Sequence, residues 1–293
     1  MNIKIGNTPL IELTKEIRAL DSVRIFAKLE GENAGGSIKS RVALAIIEDA
    51  EERGLLAGGG MVVEATSGNT GVGLALLAKE KGYAAKIFMP ENLQGEKSER
   101  IKAYGGEVVL TPAVEGMRGA VERAKAFAES TPNCFYADQF HNPVCAAVHY
   151  QTTGEEIWAQ TAGRVDVVVA GVGTGGTLTG IARCLKEKKT AVKAVAVEPA
   201  LSPLLSKGFA GQHGIKGIGA NFLPSVLDRS VIDEIVLATE RGAEICVAWL
   251  KKRLGLAVGI SSGAAFFACL NLAARTENRG KNIVVIFPDK AMP

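Results

Sequence analysis

The sequence predicts an α/β fold with mostly parallel sheets covered by helices on both faces. Three observations predict it. Short β-branched runs alternate with longer amphipathic segments, the pattern of strand–helix–strand units. The chain has 293 residues, enough for two domains or one large one at roughly 100–200 residues each. Glycine is in excess, at 34 of 293 residues against roughly 7% on average. Many of these glycines follow the apolar runs, in the strand-to-helix loops where ligands sit in such folds.

In chain order, strands are expected at 25–29, 61–65, 84–89, 107–111, 166–170, 192–198 and 282–287. They include compact apolar runs such as Val167-Val168-Val169 and Ile283-Val284-Val285-Ile286, which suit strands buried on both faces. Helices are expected at 40–54, 72–81, 97–104, 117–130, 178–188 and 242–254, where apolar residues recur at helical spacing.

Composition excludes several classes. Hydrophobic residues are 47% and charged residues 22% of the chain, as in soluble globular proteins. The net charge is +3. The basic clusters at 186–189 and 251–253 fall on expected helices and read as solvated faces, so no nucleic-acid partner is expected. No apolar run reaches 18 residues and no signal-peptide core follows Met1, so neither a membrane nor export is expected. The five cysteines, Cys134, Cys145, Cys184, Cys246 and Cys269, are odd in number and lack C-x-x-C spacing. They read as reduced thiols of a cytoplasmic protein. With three histidines and no ligand spacing, no metal site is expected.

Four loops carry candidate chemistry. In Gly35-Gly36-Ser37-Ile38-Lys39-Ser40-Arg41, Ser37 is a candidate N-cap. Lys39 would then lie in the first helical turn, where the helix dipole disfavours a cation and favours a neutral, nucleophilic amine. In Thr66-Ser67-Gly68-Asn69-Thr70-Gly71, hydroxyls and backbone N–H groups after a strand could converge on an anion, beyond what a simple N-cap turn needs. Gly171-Val172-Gly173-Thr174-Gly175-Gly176-Thr177 reads as a phosphate cradle. Its Gly171, Gly173 and Gly176 also satisfy G-x-G-x-x-G, with Glu198 about 22 residues on, so this loop alone equally fits a dinucleotide. Gly259-Ile260-Ser261-Ser262-Gly263 reads by itself as a Ser-Ser N-cap for a helix beginning near Ala264.

Taken together, Ile5–Leu10, Lys28-Leu29-Glu30, Gly36–Lys39, Thr66–Gly71, Gly173–Thr177, Gly217-Ile218-Gly219 and Gly259–Gly263 stand in the order seen in the cysteine synthase family. That family comprises the O-acetylserine sulfhydrylases and is related to cystathionine β-synthases. The resemblance runs from Ile5 to about Asp289 and displaces the dinucleotide reading. It implies two doubly wound domains with twisted, mostly parallel sheets (tryptophan synthase β-like, fold type II) and pyridoxal 5'-phosphate bound between them. A smaller mobile domain would span 36–142, and a larger cofactor-binding domain 1–35 plus 143–293. The resemblance also assigns roles. Lys39 would carry the cofactor as a Schiff base and act as proton base. Asn69 would bond the cofactor's 3′ oxygen. Gly173, Thr174, Gly175, Gly176 and Thr177 would hold its phosphate, and Ser261 its pyridine nitrogen. Thr66, Ser67, Gly68, Thr70 and Gln139 would hold the substrate carboxylate. The implied reaction makes L-cysteine from O-acetyl-L-serine and sulfide, by β-elimination to an α-aminoacrylate followed by sulfide addition. A homodimer is implied as well.

The chain departs from the family at three places. Ser40 replaces the usual Asp after the lysine. Asn221 stands where sulfhydrylases carry Gly and serine-using synthases Asp. After Pro288-Asp289 the sequence reads Lys290-Ala291-Met292-Pro293 where the family continues with a Ser-Gly-containing segment; with the chain either shortened or diverged there, part of the wall near the pyridine ring is expected to differ. These departures keep two alternatives in view: a cystathionine β-synthase-like or cysteine-desulfurising β-eliminase using serine or cysteine, and a non-catalytic binding protein on the same fold.

Overall fold

The computed structural model describes residues 3–17 and 22–291. The chain divides into two compact units. One holds Ser37–Cys145 with the segment ending at Ile5, and the other holds Gly6–Gly36 and the chain from Ala146 onward.

The chain first lays down β1 (Leu10–Glu12) and β2 (Arg24–Leu29) of the second unit. It then builds the first unit from α1 (Lys39–Glu52), β3 (Met61–Ala65), α2 (Asn69–Lys81), β4 (Ala84–Pro90), α3 (Glu96–Ala103), β5 (Glu107–Thr111), α4 (Gly116–Ser130) and β6 (Cys134–Tyr136). Its sheet has the order β5-β4-β3-β6, and every pairing is parallel. Helix α4 covers one face, where Val63, Ala65 and Phe88 pack on Ala120 and Ala124. Helix α2 is buried from Thr70 to Ala78, packing on α1 and α3 as well as on β3 and β4. An apolar helix with such neighbours needs no polar face. The strands β3, β4 and β5 run outward in sequence, and β6 then returns to the other flank of β3. Strand order reverses there, so the carboxyl ends of β3 and β6 form the crevice where ligands bind in open parallel sheets.

The chain continues through α5 (Val144–Val148), a π-helical segment (His149–Gly154) and α6 (Glu155–Gln160). The second unit is completed by β7 (Val167–Gly171), α7 (Gly176–Lys188), β8 (Lys193–Pro199), α8 (Leu204–Lys207), β9 (Glu234–Ala238), α9 (Glu240–Leu254), α10 (Ile260–Ala273) and β10 (Asn282–Phe287). Its sheet order is β1-β2-β10-β7-β8-β9. Among the described strands of this sheet, only the β1–β2 pairing is antiparallel. Helices α9 and α10 pack with Ile25, Val169, Val195 and Val285 in one core. Here the order reverses between β7 and β10, which puts the loop after β7 at this unit's crevice.

All seven expected strands form, some shifted by a residue: β7 runs to Gly171 and β8 to Pro199. Strands β1, β6 and β9 were not expected. β1 and β6 have three residues each, too short for a period to register. Helix α10 starts at Ile260, before Ala264.

Candidate functional site

Each unit carries one group of the expected residues, several of them in the loops that follow its strands. In the first unit, Lys39 opens α1, with Ile38 as N-cap and no side-chain cap. Ser37 sits one residue earlier than a cap, and its hydroxyl accepts the Lys39 N–H at 3.3 Å. Gly73 of α2 lets the two helices meet at the lysine, since a Cβ there would lie 3.0 Å from the Lys39 carbonyl oxygen. Burial lowers the affinity of the Lys39 amine for its proton, against the opposing pull of Cys145 and Glu64. The expected direction is thus obtained with a different main cause: burial, where a helix-end potential was expected.

The loop after β3 turns on itself, with Thr66 Oγ1 accepting the Gly68 N–H at 3.1 Å. Gly68 caps α2 in an extended conformation with no side-chain hydrogen bond. The Ser and Thr of this loop therefore do not serve as that helix's cap. Ser67 and Asn69 are half-buried, while Thr66 and Thr70 are buried. From the end of β6, Asp138 adopts φ 48°, a left-handed turn that Asp tolerates, and Gln139 follows. The Thr70 hydroxyl donates to Gln139 Oε1 at 2.5 Å. The backbone N–H of Gln139 donates to Glu64 Oε2 at 3.0 Å, and that of Ala65 to Glu64 Oε1 at 2.7 Å. Glu64 is fully buried. Burial pushes its carboxyl up to about 8, against the two backbone donors; Asp138 adds to the rise and Lys39 opposes it. Glu64 was missed in the sequence, where one carboxylate in an apolar strand carries no signal.

In the second unit, β7 ends at Gly171 and α7 begins at Gly176. Two of its positions fit glycine only. A Cβ on Gly173 would lie 2.6 Å from the Gly217 carbonyl oxygen. Gly175, the N-cap, has φ +84° and would meet Leu227 at 2.6 Å. No side chain caps α7. A 13-residue helix thus presents its first N–H groups and positive dipole end beside this cradle, a ready anion site. Gly219 N–H donates to the Val172 carbonyl at 2.9 Å, tying residues 217–219 alongside. Thr177 Oγ1 lies 3.3 Å from His149 Nε2, and His149 Nδ1 lies 2.9 Å from Thr153 Oγ1. His149 is fully buried in the π-helical segment and was not singled out in the sequence.

Ser261 lies in the first turn of α10, buried, 3.7 Å from where a Cβ on Gly217 would stand. Gly217 therefore adjoins both Ser261 and the cradle glycine Gly173. The Ser-Ser N-cap reading is corrected: Gly259 is the N-cap, without a side-chain cap bond. The buried Ser262 hydroxyl has no partner among the described residues. Asn221 is exposed on the loop after Gly219. Lys290 pairs with Glu32 at 2.8 Å, and its N–H donates to the Gly36 carbonyl at 3.1 Å.

In the second unit, a glycine cradle at an uncapped helix end with a neutral hydroxyl adjoining it suits a phosphate-bearing group; in the first, a desolvated lysine suits a carbonyl. The fold and these groups define the class: an enzyme of the doubly wound α/β type working through a phosphate-bearing cofactor. The chain belongs to the family of pyridoxal-phosphate-dependent enzymes, whose family model matches residues 1–289. It is 48% identical over 232 residues to a cysteine synthase of a Flavobacterium species, covering 79% of this chain and 75% of that one. It is 42% identical over 285 residues to a cysteine synthase of Staphylococcus aureus, covering 97% and 91%. The crystal structure of an Entamoeba histolytica cysteine synthase superposes with a TM-score of 0.93 at 41% identity, covering 98% of this chain and 86% of that one.

Proposed function

We propose that this protein is a cysteine synthase, making L-cysteine and acetate from O-acetyl-L-serine and sulfide. The observation that carries the reading is the similarity over 97% of the chain to a cysteine synthase, joined to a lysine whose amine is desolvated by burial. Pyridoxal phosphate, when bound, supplies the electron sink that makes the substrate's α-proton removable.

This chain's own residues do the rest. The cradle from Gly173 to Thr177 and the start of α7 would hold the phosphate, and Asn69 would bond the ring's 3′ oxygen. Ser261 would meet the pyridine nitrogen. A neutral hydroxyl there would not stabilise a protonated ring as a carboxylate would, which suits loss of a β-substituent. Thr66, Ser67, Gly68, Thr70 and Gln139 hold the substrate carboxylate and so orient the Cα–H bond. Lys39 binds the cofactor, then takes the α-proton and returns it to Cα once sulfide has replaced acetate at Cβ. The hydroxyls, the N–H donors and the uncapped start of α2 support the carboxylate assignment.

We further propose a homodimer in the cytoplasm, with the unit containing Ser37–Cys145 as the mobile domain. The cysteines are unpaired, and four of the five are buried, as suits a reducing compartment. Among the described residues, no helix is long and apolar enough to cross a membrane. The test is product formation by the cofactor-loaded protein. O-acetyl-L-serine with sulfide is expected to give L-cysteine, and serine with homocysteine to give no cystathionine; the reverse outcome would move the protein to the serine-using synthases.

A further inference from the structure

Glu64 is the buried carboxyl that the mechanism above leaves unused. It stands second from the end of β3, on the strand face opposite Val63 and Ala65. One oxygen takes the N–H of Ala65, at the root of the Thr66–Thr70 loop. The other takes the N–H of Gln139, whose side chain in turn accepts from the Thr70 hydroxyl. The loop after β3 and the turn after β6 are thereby closed into one ring of hydrogen bonds, with Glu64 at its base. An anion held by Thr70 and Gln139 would lie two hydrogen bonds from this carboxyl. Two negative charges that close, in a buried setting, repel strongly.

We propose that Glu64 is a positioning residue for the substrate-carboxylate subsite, and that the subsite binds its anion more weakly once Glu64 is ionised. The proposal rests on the assignment of Thr70 and Gln139 to the substrate carboxylate. Burial keeps the Glu64 proton on through neutral pH. The ionisable groups around it are Lys39 from α1, Tyr136 and Asp138 from β6 and its turn, and Cys145 from α5. Lys39 favours the ionised form and Asp138 opposes it. Burial raises both the Tyr136 phenol and the Cys145 thiol, the latter up to about 12, so both stay neutral. Of these groups Glu64 is raised to about 8 and Lys39 is lowered by burial, and comparison with Glu64→Gln separates the two. By linkage, its ionisation and the binding of an anionic substrate must oppose each other.

The experiment compares KM for O-acetyl-L-serine between pH 6.5 and 9.5 in the wild-type holoenzyme and in Glu64→Gln. The substrate amine and sulfide titrate identically with both proteins, so the difference between the two profiles isolates residue 64. Glutamine is permanently neutral and can accept only one of the two N–H groups. Its KM is expected to be raised by a constant factor, with the Glu64-dependent rise removed. The wild-type KM is expected to climb about tenfold more across the range, the effect of a second negative charge ~10 Å away at an effective dielectric of about 20. Should Glu64→Gln not fold, the wild type alone decides. A 13C-glutamate carboxyl resonance titrating near pH 8 must share its midpoint with the rise in KM. Parallel profiles, or a KM that ignores that titration, would overturn the proposal while leaving cysteine synthesis intact. Absence of turnover at every pH would instead remove the functional reading on which it rests.

Discussion

Replacing Gly173 by alanine tests the phosphate cradle at its tightest point. The added Cβ would lie 2.6 Å from the Gly217 carbonyl oxygen, and the two backbones must part by about 0.4 Å even to reach 3.0 Å. Neither side can yield by rotating a side chain, because the clash is with backbone. Overpacking of this kind costs about 1–3 kcal/mol. The displaced loop would also lengthen charge-assisted bonds to the phosphate, each worth roughly 1.5–3 kcal/mol. Together these imply a 10- to 100-fold weaker Kd for pyridoxal phosphate, with a modest fall in Tm of the cofactor-free protein. The assay is equilibrium dialysis of the cofactor, with Gly58→Ala as control, since a Cβ on Gly58 meets nothing within 4 Å. An unchanged Kd for Gly173→Ala would refute the reasoning, because the cradle would then not hold the phosphate.

Other expectations follow from individual buried groups. Ser262→Ala removes a buried hydroxyl that has no partner among the described residues, so Tm is expected to stay level or rise, since no bond is lost and a desolvation cost is relieved. Glu64 raises its carboxyl from an ordinary 4.5 to about 8 on folding, so between these values the folded state binds a proton that the unfolded chain has released. Its contribution to stability is full below about pH 4.5 and is lost as pH rises through about 8. Thermal melts of the wild type should therefore show Tm falling between pH 6 and 9, and Glu64→Gln should remove that part of the fall. Leu77 is fully buried in α2, and Leu77→Ala is expected to cost about 2–5 kcal/mol in denaturant unfolding.

The alternation of strands and helices was legible because its signal is local. A run such as Val167-Val168-Val169 followed by glycines announces both a buried strand and the turn after it. The cradle was legible for the same reason, although only the whole set of motifs separated a phosphate-bearing cofactor from a dinucleotide. Other features depend on contacts distant in sequence. Ser261 and Ser262 look like caps until Gly259 is seen to hold that position. The importance of Glu64 arises from Gln139, 75 residues away, and from burial that no local pattern encodes. His149 acquires meaning only beside Thr177, 28 residues further on. The lowered proton affinity of Lys39 was expected from a helix end, whereas the dominant cause is desolvation by the surrounding fold.

The central claim is that Lys39 binds the cofactor and serves the reaction. Borohydride reduction of the holoenzyme, followed by proteolysis and mass mapping, tests it most directly. Pyridoxal phosphate is expected to be fixed covalently to the peptide containing Lys39, with none fixed in Lys39→Ala. Attachment at another lysine, or full cysteine synthesis by Lys39→Ala, would contradict it.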